Sequence, residues 1–167
     1  MVHNSIKSHI DIYTDGSLVR SKNQINCGYG IYFPNGEYKS ISRRFTHEPI
    51  TNNRAELYAI LKSIIIANII NEKRIINKQI TVKEITIYSD SEYSVKTFNN
   101  WLEGWKKSSK DYKNKDIIDM IDEHAKNSPF KIKFVHVRAH SGKNDIYSIN
   151  NNIVDKLAKN GAFRETK

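Results

Sequence analysis

The sequence predicts an α/β domain built on a mixed five-stranded sheet, with three antiparallel strands followed by parallel strands, flanked by helices. Two periodicities support this class. Segments with alternating apolar and polar residues predict strands, and segments with apolar residues three and four positions apart predict helices. Their order along the chain is strand, strand, strand, helix, strand, helices, strand, helix. The length of 167 residues suits one domain with its own core.

The first three strands are predicted to form an antiparallel unit. Residues 9–15 alternate in polarity, and Gly16-Ser17 is expected to turn the chain after Asp15. Two more strands are predicted over residues 26–33 and 37–45. The segment Pro34-Asn35-Gly36 joins them, and its Asn-Gly pair favours a tight hairpin turn.

Helices and two further strands follow. The first helix is predicted from Asn53, as its cap, to about Ile70, and the polar segment 71–83 is either a continuation of this helix or a loop. The remaining predicted elements are a strand over 84–90, helices over 92–105 and 116–126, a strand over 131–138 and a final helix over 151–159.

The charge balance indicates a polyanionic partner. Lys and Arg number 27 against 18 Asp and Glu, so the net charge is +9. A positive surface attracts nucleic acids and also acidic membranes. The longest apolar run, residues 64–70, is too short to span a bilayer, and we expect no membrane association.

Cysteine usage and the first residues indicate a reducing compartment. Cys27 is the single cysteine, which excludes an internal disulfide and a cysteine-based zinc site. It lies in an apolar run, so a packed thiol is favoured over a nucleophile. Residues 1–8 lack the features of a secretory signal, and we expect a cytoplasmic or nuclear protein without a disulfide partner.

Four acids are the candidate chemical groups. Asp15 and Asp90 follow strand-like segments, Glu56 lies in the first turn of a helix, and Asp155 lies near the start of the last helix. Such positions can converge at one edge of a mixed sheet. Ligand sets made only of oxygen select Mg²⁺ or Mn²⁺ over zinc, and two such ions can promote phosphodiester hydrolysis with water as the nucleophile.

Taken singly, each acid also has a purely structural interpretation. Glu56 and Asp155 fit capping arrangements at helix starts, and Asp15 and Asp90 beside Gly and Ser fit turns. Only the order of all four acids along the chain, which resembles that of a known family, makes this interpretation improbable. The sequence contains no dinucleotide fingerprint, phosphate loop, zinc-protease helix or nucleophile elbow.

The segments that carry these acids resemble ribonuclease H of type 1, the family that cleaves RNA/DNA hybrids. Asp-Gly-Ser at 15–17, Asn-Asn-Arg-Ala-Glu-Leu at 52–57 and Ser-Asp-Ser at 89–91 match its acidic motifs. Further segments resemble its basic protrusion, its histidine loop and its last catalytic helix: residues 100–107, 137–142 and 152–158. The resemblance extends in order from about residue 10 to 162.

The resemblance implies a function and a set of site residues. Cleavage of the RNA strand would be nearly independent of sequence, would require two Mg²⁺ ions, with Mn²⁺ as a substitute, and would leave 5′-phosphate and 3′-hydroxyl ends. The implied metal-binding and catalytic acids are Asp15, Glu56, Asp90 and Asp155, with His140 as a catalytic histidine for proton transfer or product release. The implied nucleic-acid contacts are Gly16, Ser17, Thr51, Asn52, Asn53, Trp101, Trp105, Lys106, Lys107 and Asn114. Among them, Gly16 and Ser17 resemble contacts to the RNA strand, and Asn52 and Asn53 are short polar groups suited to its 2′-hydroxyls. Trp101 and Trp105 resemble contacts to the DNA strand, and Thr51 with Asn114 resemble part of a pocket for one of its phosphates.

The same resemblance implies a monomer with a ribonuclease H catalytic domain over 9–163, a flexible flank over 1–8 and a tail over 164–167. The chain departs from the family pattern at three places: an insertion around 71–83, a longer spacing between His140 and Asp155 through 143–150, and Pro49, where the vertebrate-type phosphate pocket would have an arginine. Two alternatives stay open: a non-catalytic nucleic-acid binder on the same fold, and a nuclease acting on DNA or double-stranded RNA.

Overall fold

The computed structural model describes residues 5–109, 111–139 and 144–165. It contains one five-stranded sheet in the order β3-β2-β1-β4-β5. Strands β1 to β3 are antiparallel, and β4 and β5 run parallel to β1, as predicted. The strands are β1 (His9–Ser21), β2 (Gln24–Tyr32), β3 (Ile41–Arg44), β4 (Glu84–Ser89) and β5 (Lys131–His136). The helices are α1 (Asn52–Ile76), α2 (Glu92–Lys96), α3 (Leu102–Lys107), α4 (Lys115–Asn127) and α5 (Ile146–Gly161), and a π-helical turn (Thr97–Trp101) joins α2 to α3.

The prediction that Gly16-Ser17 turns the chain is wrong. Strand β1 continues through both residues, and Gly16 pairs with Tyr29 of β2. Pairing with β4 ends one residue before Asp15, at the Thr14–Ser89 pair, so Asp15 lies inside β1 but beyond the end of β4. The local turn signal is overridden because β2 extends the ladder of hydrogen bonds.

The hairpin between β2 and β3 is longer than predicted. The backbone N–H of Gly36 donates to the carbonyl of Phe33 at 3.0 Å, so Pro34 and Asn35 occupy the centre of the turn rather than Asn35 and Gly36. Strand β3 begins only at Ile41, not at residue 37.

Helix α1 is capped two residues earlier than predicted, by Thr51 rather than Asn53, and it ends later. Thr51 is its cap, because the Thr51 side chain accepts a hydrogen bond from the backbone N–H of Arg54. The helix continues to Ile76, and the segment 71–83 therefore divides between helix and loop. Asn71 on the helix accepts a hydrogen bond from the backbone N–H of Val82 at 2.8 Å, which holds this loop against α1.

Helices α1 and α5 pack on opposite faces of the sheet. A Cβ at Gly16 would meet α1, whereas a Cβ at Gly28 would lie 2.2 Å from the backbone nitrogen of Ala162, just after α5. Gly28 pairs with Ser17, the residue that follows Gly16 in β1. Because successive residues of a strand face opposite sides of the sheet, Gly16 and Gly28 face different helices. Large isoleucines are fully buried in the core, among them Ile12, Ile60, Ile64, Ile87 and Ile118.

Helix α5 begins at Ile146, five residues before the predicted start. Asp145 caps it, because its side chain accepts a hydrogen bond from the backbone N–H of Ser148 at 2.9 Å. The expectations that Asp155 lies near the start of this helix, or caps it, are therefore wrong. Within the described ranges, no helix is both long and apolar enough to cross a membrane.

Candidate active site

Three acids from three elements converge at the sheet edge where β4 ends. Each of Asp15, Glu56 and Asp90 offers a carboxylate oxygen, and these three oxygens lie within 4.8 Å of one another. Asp15 is 2% exposed and Glu56 4% exposed, so two of the carboxylates are almost completely removed from water. The predicted convergence of these acids is confirmed.

Gly16 makes the approach of α1 to β1 possible. A Cβ at Gly16 would lie 2.5 Å from the backbone nitrogen of Glu56 and 2.8 Å from the carbonyl carbon of Ala55. Because both neighbours are backbone atoms, any side chain at position 16 would push the helix away. Because Gly16 has no side chain, α1 can approach β1 closely enough for Glu56 to lie beside Asp15.

The acids are poised to take up either protons or cations. Burial, followed by the nearby charge of Asp90, raises the pKa of Asp15 to about 8. Burial, followed by the charge of Asp15, raises the pKa of Glu56 well above its ordinary value. Crowded carboxylates repel one another, and this repulsion is relieved by protonation or by a bound cation.

The fourth acid borders the same site. Asp155 lines a recess of about 400 Å³ together with Asp15, Glu56 and Asp90. Its carboxylate accepts from the Lys159 ammonium at 3.0 Å, one helical turn further along α5, and it contributes to raising the pKa of Asp15. The arrangement brings all four predicted acids to one recess.

The donor set fits a hard divalent cation. Oε2 of Glu56 is buried without a hydrogen-bond partner among the described residues. An unpartnered buried carboxylate oxygen is costly unless a proton or a cation satisfies it. The cluster offers only oxygen ligands from acids, which is the chemistry that Mg²⁺ and Mn²⁺ prefer.

The predicted RNA contacts lie at the rim of this recess. Gly16, Asn52 and Asn53 line it, and both asparagines are exposed in the first turn of α1. The Asn52 side-chain oxygen accepts from the backbone N–H of Leu18 at 3.2 Å, so its amide NH₂ group stays available to donate. Ser17 follows in β1, where it pairs with Gly28.

A row of aromatic rings extends from the recess along α2 and α3. Trp101, 38% exposed, lies 5.7 Å from Trp105 between ring centroids, and Trp105 stacks on Tyr112 at 5.3 Å. At the other end of the row, Tyr93 lines the recess and lies 6.4 Å from Trp101. This row of four rings, hereafter the aromatic row, leads from the acidic recess to the lysine-rich segment 106–115.

Lysines accompany the aromatic row. Lys106 is exposed and pairs with Asp122 of α4, and Lys107 is exposed at the end of α3. The ammonium of Lys115 lies 4.5 Å from the ring centroid of Tyr112. Tyr112 was missed by the sequence analysis, although its place between Trp105 and α4 in an aromatic, lysine-rich segment was a usable signal.

The predicted phosphate contacts sit at the starts of two neighbouring helices. Thr51 caps α1, and Asn114 precedes α4 with φ 61°. An ion pair between Arg54 and Asp116 joins these two helix starts. The Asn114 amide donates to the hydroxyl of Tyr93 at 3.1 Å, which connects this region to the aromatic row.

Two further sequence expectations have different outcomes. His140 lies outside the described residues, and its catalytic role stays a prediction; the preceding residue, Ala139, lines the recess. The packed-thiol interpretation of Cys27 is confirmed, since this residue is 2% exposed and burial raises its pKa to about 11.

Comparisons with known proteins agree on one family. The RNase H family model matches residues 7–163. A ribonuclease H of Campylobacter jejuni is 35% identical over 159 residues, which is 93% of this chain and 92% of that protein. A probable ribonuclease H of Acanthamoeba polyphaga mimivirus is 38% identical over 146 residues, which is 84% of this chain. The chain thus spans only 60% of the length of the mimivirus relative.

Solved structures share the fold. The solution structure of the PFV RNase H domain superposes with a TM-score of 0.68 at 24% identity, covering 92% of this chain and 94% of that one. LC11-RNase H1, solved in complex with an RNA/DNA hybrid, gives a TM-score of 0.59 at 20% identity, covering 92% and 96%. At these identities the superpositions establish the architecture.

Proposed function

Because the chain belongs to the RNase H family of endoribonucleases, we propose that it hydrolyses the RNA strand of RNA/DNA hybrids, with little sequence preference, leaving 5′-phosphate and 3′-hydroxyl ends. The observation that carries the proposal is the convergence of Asp15, Glu56 and Asp90, with Asp155 on the wall of the same recess. Their chemistry suits metal-assisted hydrolysis by water.

The four acids would hold the cofactor. Two Mg²⁺ ions, replaceable by Mn²⁺, would lower the pKa of a bound water and neutralise charge developing on the phosphodiester. Asp15, Glu56 and Asp90 supply oxygens from three elements, and Asp155 supplies a fourth carboxylate from α5. Asp155 also forms an ion pair with the exposed Lys159 one turn along α5.

Recognition of RNA would use short polar groups at the recess. Gly16 lines the recess and Ser17 follows it in β1, and Asn52 and Asn53 are exposed within one turn of Glu56. The wide minor groove of a hybrid presents 2′-hydroxyls that such groups can bind without reading bases. This geometry supports a requirement for RNA together with tolerance of sequence.

Recognition of the DNA strand would use the aromatic row and its lysines. Trp101 is exposed for contact, whereas Trp105 is held between Trp101 and Tyr112. Lys106 and Lys107 add positive charge, and Thr51 with Asn114 would bind a DNA phosphate at the paired helix starts. Because Pro49 stands where the vertebrate-type pocket would have an arginine, we propose that this pocket is weakened.

His140 would assist proton transfer or product release from the loop that follows β5. We also propose that the protein is a monomer. A reducing compartment, the cytoplasm or nucleus, agrees with the single buried cysteine. A non-catalytic binder and a nuclease for DNA or double-stranded RNA are the two alternatives, and cleavage assays on different substrates distinguish them from a hybrid-specific enzyme.

A gel assay tests the function directly. The full chain is incubated with end-labelled RNA/DNA hybrid, duplex RNA or duplex DNA of one sequence, in Mg²⁺ or in EDTA. We expect cleavage of the hybrid alone, only with metal, at many positions, and with ends that a 5′-phosphate-dependent exonuclease accepts. Binding without cleavage would support the non-catalytic alternative, and preferential cleavage of either duplex would replace the proposed substrate.

A further inference from the structure

Asp90 receives polar contacts from two elements of the C-terminal half. The side-chain amide of Asn151 on α5 donates to Oδ2 of Asp90 at 3.4 Å. The His136 ring, at the end of β5, lies with its Nε2 3.3 Å from the backbone carbonyl oxygen of Asp90. Asp90 follows the end of β4 and is not itself in a strand or helix, so these contacts help to determine where its carboxylate lies.

Asn151 is placed there at a cost to the fold. It is 3% exposed, and its Oδ1 is buried without a hydrogen-bond partner among the residues that the structure describes. Leaving a buried amide oxygen unsatisfied is destabilising, and an apolar side chain of similar size avoids that cost. Stability alone therefore does not explain an asparagine at this position.

The adjacent asparagine shows the contrast. Asn150 is also buried, but among the described residues neither polar atom of its side chain is both buried and without a hydrogen-bond partner. The contact of Asn151 that accounts for its polarity is the one to Asp90. An acceptor turned toward a carboxylate would be repelled, so the negative charge of Asp90 selects the orientation in which the amide donates.

We propose that Asn151 is a positioning residue for Asp90: its amide engages Oδ2 and leaves the other carboxylate oxygen for the cation shared with Asp15 and Glu56. The inference rests on the proposed metal site, but it concerns Asn151, which has no assigned role. Groups that orient metal ligands in this way typically change metal affinity 10- to 100-fold when removed.

The test uses two variants and a matched control in the full chain. Asn151→Ala removes the amide, and Asn151→Leu removes it while keeping most of the volume. Asn152→Ala alters the neighbouring exposed asparagine. Binding of Mn²⁺ is measured by isothermal titration calorimetry without nucleic acid, and the Mg²⁺ concentration for half-maximal hybrid cleavage is measured separately.

We expect both Asn151 variants to weaken Mn²⁺ binding roughly tenfold and to raise the half-maximal Mg²⁺ concentration by a similar factor. High Mg²⁺ should restore most of the cleavage rate, whereas it should not rescue Asp90→Asn. Asn152→Ala should match the wild type in both measurements. Both variants remove the unsatisfied buried amide, but Asn151→Leu also fills most of its volume, so its melting temperature in EDTA should be at or above that of Asn151→Ala.

Unchanged Mn²⁺ affinity in a folded Asn151 variant would overturn the inference. A loss of cleavage that excess Mg²⁺ does not restore would overturn it as well. The two proposals fail separately. Absence of hybrid cleavage by the wild type would remove the proposed function, while the comparison of Mn²⁺ affinities would still decide the role of Asn151.

Discussion

Arg54 of α1 and Asp116 of α4 form a two-point ion pair, with both terminal guanidinium nitrogens 2.8 Å from the carboxylate oxygens. The Arg54 side chain is 3% exposed, whereas that of Asp116 is 63% exposed. Removing the exposed partner therefore strands a buried cation, which is more damaging than losing a surface pair.

We expect Asp116→Ala to lower the free energy of unfolding by about 1–3 kcal/mol at pH 7. Hydrogen bonds from Arg54 hold the pKa of Asp116 below its ordinary value, so the contribution is present above pH ~4 and is lost as the pH falls further. Urea unfolding of wild type and variant at pH 7 and pH 3 measures the difference. Glu92→Gln, which breaks an exposed pair with Lys96, is the control and should not shift the midpoint measurably. An equal loss of stability at both pH values would contradict the prediction.

A methyl group at position 16 should separate the acids. Gly16→Ala places a Cβ 2.5 Å from the backbone of Glu56, so we expect loss of cleavage together with a lower melting temperature. Gly104→Ala in α3 is the matched control, because no described atom lies within 4 Å of its added Cβ and alanine favours helix. Circular dichroism melting should show a decrease for the first variant and none for the second. Full cleavage by Gly16→Ala would disprove this account of how the site closes.

Removing one negative charge should abolish cleavage and stabilise the metal-free protein. Two carboxylates ~4 Å apart repel by about 4 kcal/mol at an effective dielectric near 20, and Asp15, Glu56 and Asp90 are this close. We expect Asp15→Asn or Asp90→Asn to raise the melting temperature in EDTA at pH 8–9 by several degrees. Differential scanning calorimetry measures it, with Asp11→Asn on the same strand as a control. A decrease of several degrees for either variant would show that repulsion does not dominate there.

The same cluster should give the metal-free protein an unusual pH dependence. The pKa of Asp15 is raised to about 8, above the value of ~4 in an unfolded chain, so folding favours its neutral form. Its stabilising contribution is complete below pH ~4 and is lost as the pH rises through 8. We expect the melting temperature in EDTA to fall between pH 5 and pH 9 more steeply for the wild type than for Asp15→Asn. Parallel profiles for the two proteins would refute the raised pKa.

The exposed Trp101 and the half-buried Trp105 of the aromatic row should differ in effect. Trp101→Ala should weaken binding of RNA/DNA hybrid by roughly 5- to 150-fold, since stacking on an aromatic is worth about 1–3 kcal/mol per base. Trp105→Ala should also lower the melting temperature, because Trp105 packs between Trp101 and Tyr112. Fluorescence anisotropy with Ca²⁺ in place of Mg²⁺ measures binding without cleavage. Unchanged affinity in Trp101→Ala would remove the aromatic row from the proposed interface.

The sheet was predictable from local alternation of polarity, whereas the four acids were predictable from the order of their motifs along the chain. The alternation of polarity predicted the ends of β4 and β5 to within two residues. The motif order predicted that Asp15, Glu56 and Asp90 lie together. The extension of β1 through Gly16-Ser17 was not predictable, since the pair is a turn signal and only the ladder with β2 overrides it.

The start of α5 was missed for another reason. Ile146, Tyr147 and Ile149 are exposed although apolar, so the first turn lacks the periodicity that marks a buried helix face. The cap at Asp145 is the local signal that remained. Asn151 was overlooked because a buried asparagine in a helix has no signature in the sequence; its contact to Asp90 exists only in three dimensions.

The burial of Cys27 has a practical consequence for studying this molecule. With a pKa of about 11 and 2% exposure, its thiol is almost entirely protonated and shielded near neutral pH, and it should resist alkylating dyes. A cysteine introduced on an exposed loop would then be the reactive thiol of choice for a fluorophore. The natural chain is therefore a ready background for single-molecule observation of hybrid capture and release, without replacement of its own sulfur.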